Sequence, residues 1–484
     1  MQNSLLPLLL SLLATAEAAE TVLGAYIFHR HGDRTPKALA PANLTTLGYE
    51  QVYNSGQYYR SRYLDSSSAS NIHGINEDIV NLQQLSVTAP VDNILQNSAM
   101  GFLQGLYPPV GESIGVQTLA NGTDVQAPMN GYQLIPINTV STGSGSEDNG
   151  WLQDATGCYN AKLSSNNYFS SAEYENLLSS TQDFYDSLLP VVNATLDTED
   201  VSFKNAYIVY DLIHVATIHN HTIRSSSLLT PSTLLRLRTL ADAHEWGLAY
   251  NASDDMRAIA GMQLAGEILK YMNSTIASAS PSSINNSNNN KLGIQFGAYA
   301  TFMSFFGLAG LQNATPDFQG IVQYASSMVF ELFTESDVEK NGFPGTEDLK
   351  VRFLFHNGTA GNASEPTVYP LFGGEAEAVS WSDFAEQMTR FEVSTTGEWC
   401  TKCGNSTGMC AQYASNDSST TEQSGGGHGM SAAVGGVIGA FVMVGVVLMV
   451  LAAVVVLGGV RFATKKRLAG NSGGLPVTET GKTG

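Results

Sequence analysis

Thr21–Phe28 reads Thr-Val-Leu-Gly-Ala-Tyr-Ile-Phe, an apolar and partly β-branched run that leads almost directly into Arg30-His31-Gly32-Asp33-Arg34-Thr35-Pro36. A segment apolar at successive positions, not alternate ones, predicts a strand buried on both faces. Such strands belong to open α/β sheets, whose ligands sit beyond the carboxyl ends of the strands. The heptad stands at that end. Arg30 and Arg34 each offer a planar fork of donors that matches phosphoryl oxygens. His31 between them can attack phosphorus through a ring nitrogen and form a covalent intermediate. Gly32 lets the backbone approach an anion without a Cβ, and Pro36 ends the element by removing a donor.

The heptad resembles the Arg-His-Gly-X-Arg-X-Pro signature of the histidine acid phosphatases, a branch of the histidine phosphatase superfamily. Leu44–Gln51 resembles the family's Leu-Thr-x-x-Gly opening of the first helix, completed by Gly56 and Arg60–Tyr63. Ser98–Pro108 resembles the helix after the second phosphate-binding element, and a weaker likeness runs to about Cys410. The resemblance implies an α/β fold with a central sheet, flanking helices and a helical insertion that closes over the site. It implies a phosphomonoesterase with His31 as catalytic nucleophile and with Arg30 and Arg34 binding phosphate. Asp33 and Lys37 would shape the mouth of the site. No cofactor and no metal are implied, because arginines supply the positive charge.

Two departures qualify that picture. Where the family carries a second phosphate-binding arginine, the aligned stretch Thr88–Ala99 holds Asn93. Where it carries a late His-Asp pair, histidine on phosphate and aspartate protonating the leaving alcohol, Gly297–Phe302 places Tyr299 and Ala300, ahead of a helix expected over Met303–Leu311. Tyr299 and Asn93 are therefore the candidates to compensate. Loss of general acid catalysis costs about 10²–10⁴-fold. His244-Glu245 looks like a replacement pair, but i, i+1 residues of the helical stretch Leu234–Ala249 do not share a face. His214, His219 and His221 are better candidates. No P-loop, dinucleotide fingerprint or zinc-spaced histidine pair is present.

The ends of the chain predict its compartment. Leu5–Ala16 with the small-residue exit Ala16-Glu17-Ala18 reads as a secretory signal peptide over 1–18. Ala432–Val460 carries no charge over 29 positions and is followed by Arg461 and Lys465-Lys466-Arg467. That is a single bilayer span with its basic flank in the cytoplasm, and the polar tail 461–484 argues against a lipid anchor. Acceptor sequons stand at Asn43, Asn121, Asn193, Asn220, Asn251, Asn273, Asn285, Asn313, Asn357, Asn362, Asn405 and Asn416, and none follows the span. The expected topology is type I, glycosylated outside the cytoplasm. With 43 acidic against 23 basic residues the net charge is −20, which disfavours nucleic acid and anionic lipid surfaces as partners. The remaining partners are a small phosphorylated substrate or ligand and the lipid bilayer.

Four cysteines in a secreted chain predict two disulfides rather than zinc. Cys400, Cys403 and Cys410 cluster while Cys158 stands alone. Three pairings are open, with Cys158 favoured to join the cluster to the body. The α/β domain is expected over 19–115 and 291–410, with the mostly helical insertion over 116–290 and a Ser/Gly stalk over 411–431. Strands are expected around Tyr132–Ile137, Leu292–Phe296, Val329–Phe333 and Val351–Phe355, and helices over Met256–Met272 and Trp381–Phe391. The leading reading is an extracytoplasmic, membrane-anchored acid phosphatase-like phosphomonoesterase working through a phosphohistidine. The alternative is an inactive surface protein that keeps the fold and binds a phosphorylated or other ligand.

Overall fold

A computed structural model describes residues 20–140, 157–279 and 290–414. The expected signal peptide, span, tail and most of the expected stalk lie outside the described residues, as do Asn285 and Asn416. Among the described residues no helix is long and apolar enough to cross a membrane.

The first strand, β1 (Thr21–Arg30), is buried at every position after Thr21. It is central in a mixed sheet with β2 (Leu85–Pro90), β3 (Asn138–Val140), β4 (Leu292–Gly297), β5 (Ser327–Thr334), β6 (Leu349–His356), β7 (Thr367–Tyr369) and β8 (Ala378–Ser380). The order across the sheet is β8-β6-β5-β1-β4-β2-β3, with β7 also on β6. Strands β1, β4, β2 and β3 run parallel, whereas beyond β1 the pairings of β1 with β5 and of β5 with β6 are antiparallel. The expected strand at Tyr132–Ile137 is instead an irregular approach, and pairing begins only at Asn138. Pro136, which has no N–H to give a ladder, lies in that approach.

Alternation along β1 sends its side chains into two cores. Ala25 and Ile27 pack with Val52 and Tyr59 of α1 (Thr46–Tyr59) and Leu95 and Phe102 of α2 (Asn93–Leu106). Tyr26 and Phe28 face the other way. They join Leu264 and Ile268 of α5 (Ile259–Ala279) and Phe302 and Phe306 of α6 (Tyr299–Leu308). Two further helices cover that second side, α3 (Ala206–His219) and α4 (Pro231–Ala249). Helix α6 thus starts four residues before the predicted Met303. Helix starts are set locally: the Thr45 side chain accepts from Gly48 N–H, and Asp92 accepts from the N–H groups of Ile94 and Leu95.

Disulfides join Cys158 to Cys403 and Cys400 to Cys410, so Cys158 does tie the terminal cluster to the body. All four cysteines are buried, in a small core with Met262 and Trp399. Of the ten described sequons, Asn251 and Asn405 are half-buried and the other eight are exposed.

Candidate active site

Three parallel strands end at one edge, and each hands the chain to a segment that contributes to the site. The register pairs Arg30 with Gly297 and Thr88 with Gln295. The heptad after β1, the α2 start after β2 and the α6 start after β4 therefore emerge side by side. The heptad is pinned from several directions. Arg30 N–H donates to Ser326 O at 2.8 Å and Ala325 N–H donates to His31 O at 2.9 Å. Gly32 N–H donates to Ser98 Oγ at 3.3 Å and Asp33 N–H to Gln51 Oε1 at 2.8 Å. A Cβ on Gly32 would fall 2.1 Å from Gly48 O, so the loop against α1 accepts no side chain there.

His31 is buried, and its Nδ1 lies 2.8 Å from Gly32 O. A carbonyl only accepts, so Nδ1 carries the proton and the neutral ring's lone pair resides on Nε2. The Tyr324 ring stands 5.5 Å away, centroid to centroid. The neighbouring His29 is a core residue. Its Nδ1 bonds to Arg30 O, its ring packs on Phe102 and Phe296, and burial drops its pKa to about 4.

The two arginines are both buried, and both are held. Arg30 donates to Val322 O, with its guanidinium 4.6 Å from the Tyr324 ring centroid and 5.3 Å from that of Tyr299. Arg34 Nη1 lies 3.0 Å from Asp211 Oδ1, and Nη2 donates to Tyr207 Oη at 3.0 Å. Asp211 also accepts Lys37 N–H at 2.8 Å. Tyr207 and Asp211 come from one face of α3, and sequence reading missed both. The available signal was the acid itself, the only charge in the apolar run Ala206–Ile213. Between Arg30, Tyr207, Tyr210, Asp211, His214 and Tyr324 the remaining space is about 10 Å³, enough for about one water.

The predicted histidines separate. His219 Nε2 meets Asp33 Oδ2 at 2.6 Å, and Thr45 Oγ1 donates to the same oxygen at 2.5 Å. His214 stacks on Tyr210 at 5.2 Å, and burial with the nearby Arg238 and Arg30 charges lowers its pKa to about 4. His221 is exposed on the following turn. Beside Asp33–His219 opens an apolar cavity of about 290 Å³, lined by Pro36, Leu39, Leu212, Ala216, His219 and Ile223 among others.

The two compensating candidates have different fates. Asn93 is exposed, donates to Asn43 Oδ1 at 3.0 Å and accepts from Asn97, so it faces the surface and replaces no phosphate-binding arginine. Tyr299 is buried beside the arginines. Its ring packs on Tyr207 at 4.7 Å and lies 5.8 Å from Lys37 Nζ. Its hydroxyl donates to Glu245 Oε2 at 2.6 Å, and His244 Nδ1 lies 2.8 Å from Glu245 Oε1. The His244-Glu245 pair, set aside on helical periodicity, is therefore joined to the site from α4. Among the described residues no cluster of three or more His, Cys, Asp or Glu side chains is arranged to hold a metal.

The family model of the histidine phosphatase superfamily (branch 2) matches residues 39–356. Bovine prostatic acid phosphatase is 28% identical over 319 residues, covering 63% of this chain and 72% of the relative. The mouse prostatic acid phosphatase is 26% identical over 412 residues, covering 82% and 92%. Among solved structures, the phytase of Citrobacter braakii superposes with a TM-score of 0.52 at 14% identity, covering 79% of this chain and 99% of that one. The apo phytase of Hafnia alvei gives 0.52 at 13%, covering 80% and 99%. These two likenesses concern the fold.

Proposed function

The chain belongs to the histidine phosphatase superfamily (branch 2), and on that footing we propose that it is a membrane-anchored, extracytoplasmic phosphomonoesterase of acid phosphatase type, slow on esters with poor leaving groups. The observation that carries this reading is the His31 ring. Donation from Nδ1 to Gly32 O leaves the lone pair on Nε2, which supports in-line attack on phosphorus and a phosphohistidine that water then hydrolyses. Arg30 and Arg34 flank it on the strand end where charge develops. The prostatic acid phosphatases among its relatives support a small phosphate monoester as substrate. The 290 Å³ apolar cavity beside Asp33 and His219 has room for an aryl group.

Slowness follows from what is missing. Ala300 offers no carboxyl to protonate a leaving alkoxide, and Asn93 adds no positive charge. The full-length protein in detergent is expected to hydrolyse 2,4-dinitrophenyl phosphate at acidic pH with EDTA present, and to yield an acid-labile, base-stable phosphoenzyme. A label that is instead acid-stable overturns the histidine intermediate.

The closed packing around Arg30, with about 10 Å³ of space, favours a second reading: a surface protein that keeps the fold without turnover. Inorganic phosphate bound without hydrolysis of the dinitrophenyl ester selects it.

The topology is part of the same proposal. The signal peptide, the 29-residue span with its basic flank, and sequons only before the span support an outer domain and a cytoplasmic tail. Exposure of eight described sequons is compatible with glycans at those positions. Deglycosylation is expected to reduce the mass of the full-length band, and protease on sealed vesicles to leave a small carboxyl-terminal stub. A band that does neither overturns the topology.

A further inference from the structure

We propose that Tyr299 and Glu245 form the proton-delivery unit of the site, with Tyr299 passing to the leaving oxygen a proton drawn from the Glu245 carboxyl. The inference rests on the phosphatase reading and adds to it the source of the leaving-group proton. Its basis is placement. Arg30 is level with Gly297 in the sheet, so Tyr299, two residues further, leaves the same end of the sheet as His31. Its ring lies against the Arg30 guanidinium, which flanks the nucleophile, and its hydroxyl is 2.6 Å from Glu245 Oε2. Glu245 is the carboxyl that the structure joins to Tyr299. It projects from α4, outside the heptad, the α2 start and the α6 start.

The direction of the hydrogen bond follows from the state of Glu245. When the carboxyl is ionised it only accepts, and the phenol proton points at it. When the carboxyl is protonated it donates to Tyr299 Oη, and the phenol proton is released toward the ester oxygen. In the first half-reaction the His31 Nε2–P bond forms and the P–O ester bond breaks, its electron pair staying on oxygen. That oxygen takes the Tyr299 proton while Oη takes the Glu245 proton. In the second half-reaction water attacks phosphorus, the N–P bond breaks, and the water proton returns through Tyr299 to Glu245. Protons balance over the cycle, and no co-reactant besides water is needed. Among the described residues, the charged and titratable groups facing the unit include Arg30, Lys37 and Tyr207 around Tyr299, and His244, Asp242 and Tyr168 around Glu245.

A donor of this kind matters for an alkoxide and hardly at all for dinitrophenolate. The full-length protein and its variants are therefore compared on glycerol 2-phosphate and 2,4-dinitrophenyl phosphate. Tyr299→Phe is expected to lower the ratio of alkyl to dinitrophenyl turnover by about 10²-fold. Glu245→Gln, which still offers Tyr299 a hydrogen bond but carries no acidic proton, is expected to lower the ratio by about 10-fold, in kcat more than in KM. A purely structural role would depress both substrates together and leave the ratio in place, which overturns the proposal. So does a wild-type protein that cleaves the dinitrophenyl ester but no alkyl ester, and that outcome leaves the phosphatase reading standing. A wild-type protein that cleaves neither overturns the phosphatase reading itself.

Discussion

Replacing His31 by alanine is expected to lower turnover of 2,4-dinitrophenyl phosphate by at least about 10³-fold, because it removes the attacking atom and not a supporting interaction. With that substrate the leaving group needs no proton, so loss of the nucleophile is separated from the weak acid half of the site. Alanine also leaves a void beside Tyr324 and takes a donor from Gly32 O, so a fall in activity alone could reflect a disturbed loop. His31→Asn answers that objection. Its amide can still donate to the Gly32 carbonyl, whereas it offers phosphorus no basic nitrogen. Both variants are expected to lose turnover and the acid-labile phosphoenzyme, with the asparagine variant unfolding near the wild-type temperature. Turnover by His31→Asn within about tenfold of wild type would remove the phosphohistidine from the mechanism.

The parts of the site written in one contiguous stretch were legible in the sequence. Arg30, His31 and Arg34 follow a strand whose burial on both faces is encoded by its unbroken apolar run, and the strand's carboxyl end fixes where they emerge. The later strand β4 was legible for the same reason, and β5 and β6 from apolar runs interrupted only by Glu331 and by Lys350 and Arg352. So was the direction of the cysteine linkage, since a lone cysteine far from a cluster of three can only reach back to it within the chain. The expected span and tail fall outside the described residues.

What was not legible depends on contacts between distant elements. Asn93 is a candidate because the resemblance aligns it with a phosphate-binding arginine. Yet Asp92 takes the helix cap, and the next residue is turned outward to Asn43. Helical periodicity argues against the His244-Glu245 pair, yet the two side chains meet at 2.8 Å within α4. The other partner of Glu245, Tyr299, comes from α6, across the second core. Tyr324 carries no sequence signal at all, since it sits in an irregular segment and acts through ring contacts to Arg30 and His31. Periodicity reports which face of an element is buried. It says nothing about which other element that face will meet.

The buried ion pair network behind β1 carries the second large expected effect. Glu331 lies in β5, level with Ala25 of β1 and Arg352 of β6. Its carboxyl is fully buried and accepts from Arg62 Nε at 3.0 Å and Nη2 at 2.8 Å, from Tyr63 Oη at 2.7 Å and from Arg352 Nε at 2.8 Å. Burial pushes this carboxyl up, but the Arg62 and Arg352 guanidiniums and the Tyr63 hydroxyl outweigh it and hold the pKa below the ordinary glutamate value. Glu331→Gln keeps the shape, takes from Arg62 its anion and leaves Arg352 only the ion pair with Glu20, so it is expected to cost about 3–5 kcal/mol in chemical unfolding. A cost under about 1 kcal/mol would show that the network is dispensable. The pH dependence has a definite sign. A depressed carboxyl contributes stability that is complete above its unfolded pKa of about 4.3 and is lost as pH falls through the lower folded value. The wild type is therefore expected to lose stability steeply below about pH 4, and Glu331→Gln to lose less over the same interval. The acid sensitivity comes from the sheet under the heptad, so activity at low pH would fail through β1 and β5 coming apart while the His31 chemistry itself is still intact.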